Sequence, residues 1–295
     1  MSLLKKGDTV GFIAPSSFVK KEDISEAVKY FKEMGLKVKL AENLTDEYRY
    51  MAGNDKKRAS SVNKMYADKN IKAIFCVRGG AGSSRILPYL DYNLIKSNKK
   101  PIFGLSDSTA IQNALISLSF IPTYTGYLPA YKPNQNSFND KAGKYLQSIL
   151  FDDKHEICSG QCLIKGEAEG KIVGGNLSVL TYLCGTKYFP SLKDKILLIE
   201  DVGEKTYKVD LMLNQLKQQK DFDKLKGIII GQFSDCKIAS ASDGSIDDCI
   251  KDFVAGLKIP TISNLDYGHI NHSLILPMGI KVKMTSTPKK CSISW

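Results

Sequence analysis

The N-terminal half of the chain switches hydrophobic period repeatedly, and this constrains the fold more than any other feature of the sequence. Residues 9–14 form a short, nearly continuous apolar run; residues 21–34 carry apolar side chains at helical spacing; 37–40 is strand-like, 55–67 helical and 73–77 strand-like again. A short helix over 90–97, a strand over 101–105 and a helix over 108–117 continue the alternation. Apolar strands separated by helices call for crossover connections, which predict a parallel sheet covered on both faces. In such a sheet the loops leaving the carboxyl ends of the strands share one edge. Three of these loops are chemically distinctive: APSS at 14–17, RGGAG at 78–82 and LSD at 105–107.

The pattern weakens from Pro133 to Gly166, through PNQNSFND and DDKHEICSGQ, and this stretch reads as a connection. The expected organisation is an N-terminal domain over 1–145, a linker over 146–165 and a C-terminal domain over 166–295. The second half is richer in strands, with candidates at 170–173, 196–200, 227–231 and 279–285, and helices near 177–183 and 207–218. The fold class is therefore α/β.

Ser106 lies where the strand 101–105 gives way to a helix. Gly104-Leu105-Ser106-Asp107-Ser108 has the form of a tight strand-to-helix turn that lifts a hydroxyl above a sheet edge, although Ser108 replaces the last glycine of G-x-S-x-G. The plain alternative is that Ser106 and Asp107 only cap the helix. A serine nucleophile needs a base oriented by a carboxylate. Of the histidines His155, His269 and His272, His269 closes LDYGHI, where Gly268 permits a sharp turn. Ile196–Asp201, ILLIED, ends an apolar strand in Glu200 and Asp201; the three groups then occur in the order serine, acid, histidine. Backbone amides of Gly79 or Gly80, together with the Asp107 amide, could receive a developing oxyanion. The rival reading of RGGAGSSR is a phosphate cradle, but it lacks the spacing of the known dinucleotide and nucleotide loops.

The formal charge of +11 comes almost wholly from lysine scattered among acidic residues, with four arginines, Arg49, Arg58, Arg78 and Arg85. That distribution favours a solvated surface over a nucleic-acid stripe, while a positive field would still draw an anionic small substrate. Seven cysteines without a C-x-x-C argue against a disulfide framework and fit a reducing cytoplasm. No apolar run reaches membrane-spanning length, and the N-terminus has no signal-peptide pattern, so the expected setting is cytoplasmic and membrane-free. His155, Cys158 and Cys162 could hold a soft metal only with a fourth ligand, and none stands at recognisable spacing. No metal and no cofactor is expected.

The motifs GDTVGFIAPSS, CVRGGAGSSRILPYLDY, KPIFGLSDSTA, GKIVGGNLSVLTYLCGT, KILLIEDVGEKTYKVDLML, YGHI and LPMGIKVKM occur in order from end to end. In these the chain resembles the LD-carboxypeptidases, serine peptidases of the muropeptide-recycling type. The resemblance implies a flavodoxin-like N-terminal domain bearing the nucleophile Ser106, and a swivelling β-rich C-terminal domain bearing the carboxylate Glu200 and the base His269. It also implies oxyanion donors at the Asp107 amide and at Gly79 or Gly80, a murein tetrapeptide substrate releasing D-alanine, and a homodimer. Arg78 and Arg85, flanking the glycine loop, are candidates for binding the substrate carboxylate, the alternative being structural pairs with carboxylates such as Asp91. Ala81 and Leu105 stand where the family often has tyrosine. Within the family the other reading is a microcin-immunity peptidase acting on peptidyl- or aminoacyl-nucleotides; outside it, a non-catalytic muropeptide-binding module.

Overall fold

A computed structural model describes residues 2–130 and 141–295. PNQNSFND, the first part of the expected connection, lies outside the described residues. The first part of the chain runs β1 (Thr9–Ile13), α1 (Lys21–Glu33), β2 (Lys37–Leu40), α2 (Asp55–Ala67), β3 (Ile71–Cys76), α3 (Ser83–Ile86), α4 (Tyr92–Ser97), β4 (Ile102–Gly104), α5 (Thr109–Ser119) and β5 (Thr123–Thr125). These strands form a parallel sheet in the order β2-β1-β3-β4-β5. It is the doubly wound order of flavodoxin-like sheets, whose switch point falls between β1 and β3.

The sequence explains this sheet locally. In α1, Ile24, Ala27 and Phe31 recur three and four residues apart and are the buried face. Asn54 caps α2 by accepting from the Lys57 N–H at 2.9 Å. Phe75, Phe103 and Tyr124 are register partners on β3, β4 and β5, and their rings stack at 4.4 and 4.8 Å between centroids. Burying such a ring contributes roughly 1.5–3 kcal/mol, so this row fixes three strands against each other.

The second part runs α6 (Lys141–Phe151), β6 (Glu156–Cys158), β7 (Gln161–Ile164), β8 (Gly166–Asn176), α7 (Leu177–Thr181), β9 (Lys195–Val202), α8 (Thr206–Lys217), β10 (Gly227–Ser234), α9 (Ile246–Val254), β11 (Thr261–Ser263), β12 (Leu276–Met278), β13 (Lys281–Ser286) and β14 (Cys291–Ser294). The second sheet has the order β6-β14-β13-β8-β9-β10-β11-β7, with β8 to β11 parallel and the flanking strands antiparallel. Its end strands β6 and β7 are separated in sequence by only Ser159 and Gly160, so the sheet has to curl until its edges approach. Gly160 makes that join at φ +88°, where a side chain would meet Ile262 and the Ser263 carbonyl.

Two expectations need correction here. The stretch 146–165 is not a bare linker: it holds the end of α6 and both edge strands of the second sheet. Those strands are three and four residues long and mostly exposed, so they carry no apolar signal of their own. Nor does the first sheet end with the first half of the chain, because β12 adds to β5 as an antiparallel edge. Side chains tie the two sheets further. Asn113 of α5 donates to the Gly174 carbonyl and accepts from its N–H, and Tyr267 shares a 2.8 Å hydrogen bond with Thr125. Among the described residues no helix is long and apolar enough to cross a membrane.

Candidate active site

The loops after β1, β3 and β4 converge as the parallel sheet requires. Ser106 has φ +65°, a left-handed backbone that a non-glycine residue rarely adopts, and its side chain is partly exposed. The turn is closed by Ser108, whose hydroxyl accepts from the Leu105 N–H at 2.8 Å and donates to the Leu105 carbonyl at 2.6 Å. Gly104 has to be glycine because a Cβ there would collide with Ser108. Serine thus replaces the motif's second glycine and uses the room that the first one leaves.

Asp107 holds the three loops together. Its buried carboxylate accepts from Ser16 Oγ at 2.6 Å and from the Ser83 N–H at 2.7 Å, and its carbonyl accepts from Ser83 Oγ. Burial pushes this carboxyl above its ordinary range, against the hydrogen bonds from Ser16, Ser83 and Gly82. The N-terminus of α3, where a phosphate cradle would place its ligand, is therefore already occupied by a carboxylate of the chain itself. Gly79 presses on the turn: a Cβ there would lie 2.8 Å from Ser106 Cβ and 3.0 Å from Oγ. Gly80, at φ +108°, packs against Ser17, whose N–H donates to the Gly79 carbonyl at 3.2 Å.

On the second sheet, Glu200 is fully buried at the end of β9, and its Oε2 lies 2.8 Å from His269 Nδ1. A break in the β9–β10 register around Gly231 admits the loop that carries the histidine. Gly231 lies against Tyr267 and Glu200, and the Gln232 N–H donates to the Tyr267 carbonyl at 2.9 Å. Gly268, at φ +127°, lets the loop pass within a Cβ's reach of Glu200 Oε2, a 2.8 Å approach that no side chain would allow. Burial pulls the His269 imidazole down, but the hydrogen bond and charge of Glu200, helped by Asp201, raise it above its ordinary 6.5.

Asn176 joins the two halves. Its N–H donates to Thr109 Oγ1 at 3.0 Å on the helix that begins just after Ser106, and its side chain donates to Glu200 Oε1 at 3.2 Å and Asp201 Oδ1 at 3.0 Å. Asp201, the second carboxylate of ILLIED, shares the Asn176 amide with Glu200 and accepts from the N–H and Oγ of Ser178 at the start of α7. The arrangement is a partly exposed hydroxyl on a strained turn, and the helix that follows the turn is tied through Thr109 and Asn176 to a buried carboxylate that holds a histidine. Residues 10–126 match the model of the LD-carboxypeptidase N-terminal domain and residues 169–284 that of the C-terminal domain. The chain belongs to the LD-carboxypeptidase family.

It is 32% identical to a probable murein peptide carboxypeptidase of Bacillus subtilis, over 98% of this chain and 92% of that protein. It is 29% identical to the microcin C7 self-immunity protein MccF of Escherichia coli, over 99% and 94% of the two chains. The crystal structure of an MccF-like protein from Bacillus anthracis superposes with a TM-score of 0.88 at 31% identity, covering 99% of this chain and 97% of that one. As a member of this family the protein is a peptidase of the carboxypeptidase kind.

The remaining candidates separate. Arg85 is committed to Asp55, with Nε and Nη2 at 3.0 and 2.8 Å from its two carboxylate oxygens, so it does not offer a free fork to a substrate. Asp91, the partner considered for it, instead caps α4 by accepting from the Leu94 N–H. Arg78 is exposed and donates to the Phe18 carbonyl at 3.0 Å. Leu105, at the family's tyrosine position, is 1% exposed and belongs to the core, while Ala81 is exposed. His155 packs on Trp295 at 5.0 Å, and no group of three metal-ligating side chains assembles among the described residues. Sequence reasoning missed Asn176 and the Asp107 side chain. The segment GGN just before a helical run signalled a cap, but nothing local showed which carboxylates the amide would reach.

Proposed function

We propose that the chain is a serine carboxypeptidase that hydrolyses the L,D-peptide bond of murein tetrapeptides and releases the terminal D-alanine. Ser106 is the nucleophile, His269 the general base and Glu200 the group that holds the imidazole. The observation that carries this reading is the 2.8 Å contact between His269 Nδ1 and a fully buried Glu200, on the sheet end that Asn176 ties to the Ser106 helix. Glu200 accepts from Nδ1–H and thereby leaves the lone pair on Nε2. Ser106 Oγ attacks the carbonyl and passes its proton to Nε2. The oxyanion forms against the Asp107 amide and an amide of Gly79 or Gly80, each donor worth about 3–4 kcal/mol. The imidazolium then protonates the departing amine of D-alanine, and water, deprotonated by the same nitrogen, releases the acyl group from Ser106. Arg78 is the cation proposed to bind the free carboxylate of the terminal residue. The proposed setting is cytoplasmic murein turnover by a homodimer.

Similarity to MccF supports a second reading, hydrolysis of a peptidyl-nucleotide by the same three groups. Mass analysis of reactions with a murein tetrapeptide and with a peptidyl-adenylate separates the two. The expected result is D-alanine from the tetrapeptide, with kcat/KM roughly a hundredfold lower when its terminal carboxylate is amidated or its last residue is L-alanine. Release of nucleotide alone, or equal cleavage of all three peptides, would replace the carboxypeptidase reading.

A further inference from the structure

Helix α5 begins beside the Ser106 turn, and its other end faces a cavity of about 450 Å³ between that helix end and strands β8 and β9 of the second sheet. The cavity has one apolar wall, formed by the accessible side chains of Ile116 and Phe120 near the end of α5 and of Phe189 from the second half of the chain, over the fully buried Ile121 and Val173. Its charged groups are of a single sign: the exposed Lys171 and Lys187 and the half-buried Lys195 line it, and no aspartate or glutamate does. Lys171 on β8 and Lys195 on β9 are direct register partners. Like charges side by side on neighbouring strands are destabilising. The next lysine along the row, Lys281, is opposite Lys171 and is neutralised by Glu169, whereas Lys171, Lys187 and Lys195 have no ion-pair partner among the described residues. Lys195 Nζ reaches the Lys193 carbonyl at 3.2 Å, which leaves its charge unpaired. Ser117 also lines the cavity, and its Oγ is buried without a hydrogen-bond partner among the described residues. At the rim Phe120 is 68% exposed, with Lys96 Nζ 5.2 Å from its ring centre.

We propose that this cavity binds a small organic anion with an apolar body. The anionic head sits between Lys171, Lys195 and Lys187 and takes a hydrogen bond from Ser117, while the body covers Ile116, Phe120 and Phe189. The cavity volume fits a compact ligand rather than a polymer, and bare inorganic anions would leave the apolar wall uncovered. The site is independent of the proposed peptidase chemistry.

Calorimetric titration of the full chain with octanoate tests this, with inorganic phosphate and 1-octanol as probes of the head and the body alone. Octanoate is expected to bind one per chain, at least tenfold more tightly than either control, and to weaken with added salt. Lys171→Gln/Lys187→Gln should lower its affinity at least tenfold and leave peptide hydrolysis unchanged. Lys171→Gln alone should raise the Tm of the ligand-free protein, since it removes the repulsion from Lys195; a lysine with only a structural role would lower it. Failure of octanoate to bind, equal binding to the double variant, or phosphate binding as tightly as octanoate would each overturn the proposal. So would a change in sedimentation mass on Phe120→Ser together with no octanoate binding, which would make this face an interface between copies.

Discussion

The turn that carries Ser106 closes on itself within four residues, whereas the loop that carries His269 is held by elements from across the chain. Ser108 binds Leu105 three residues back, and that short loop suffices to hold Ser106 at a left-handed φ. His269 depends on Glu200, 69 residues away, on Tyr267 anchored to Thr125, 142 residues away, and on the break at Gly231 that admits it. One side of the site is thus a local device bolted to its surroundings by the Asp107 carboxylate. The other exists only when two sheets are folded and docked. Damage to the second sheet should therefore remove the base before it disturbs the nucleophile turn, and substitutions can separate the two.

The largest expected effect comes from Ser106→Ala. Loss of a nucleophile in such a set typically costs about 10⁴–10⁶ in kcat. Because the turn is closed by Ser108 and not by Ser106, the circular dichroism spectrum and Tm should stay near those of the parent. Residual turnover of the tetrapeptide above about 1% in carefully repurified protein would show that Ser106 only caps its helix.

Glu200→Gln comes next, with an expected fall of about 10⁴ in kcat, since the amide can leave the imidazole in the wrong tautomer. The pH profile gives a second, sharper reading. His269 must be neutral to act as base, and its folded pKa lies above 6.5, so kcat/KM should rise with pH through an inflection above 6.5. The linkage runs the opposite way for stability. The preference of the fold for the protonated imidazole contributes fully below 6.5 and is lost as pH rises through the folded value. In Glu200→Gln the partner that raises the imidazole is gone while burial remains, so any residual activity should have its inflection shifted to lower pH. An inflection that did not move would mean that another group governs the profile.

The same contrast between local and distant bonds accounts for what the sequence disclosed. Strands β1, β3 and β4 were legible as apolar runs, and β2 through the helices on either side of it, since α1 has its own period in Ile24, Ala27 and Phe31 and α2 its own cap at Asn54; the three-residue β5, TYT, was not read. Ser106 and the glycine loop were legible for a related reason, since strained turns require particular residues at particular offsets. The short strands β6, β7, β12 and β14 were not, because a three- or four-residue strand is specified by its neighbours rather than by its own composition. Asn176 and the partnership of Arg85 with Asp55 were equally silent: a side chain that acts across two sheets leaves no spacing to read.

The smallest expected effect tests the local half alone. Ser108→Gly restores the G-x-S-x-G pattern but removes both bonds to Leu105, which leaves the buried Leu105 N–H without its partner. That should cost about 1–3 kcal/mol, or a fall in Tm of several degrees, with kcat/KM reduced less than tenfold because Asp107 still braces the turn from Ser16 and Ser83. Gly104→Ala should be worse in the parent protein, since its Cβ meets the Ser108 side chain. In the Ser108→Gly background that collision is gone, so the same Gly104→Ala change should cost less than it does in the parent. The two substitutions are thus expected to be non-additive in thermal melts, with a coupling of about 0.5–3 kcal/mol. Strict additivity would mean that Ser108 does not fill the space over Gly104, and that the Ser106 turn is held by the distant loops after all.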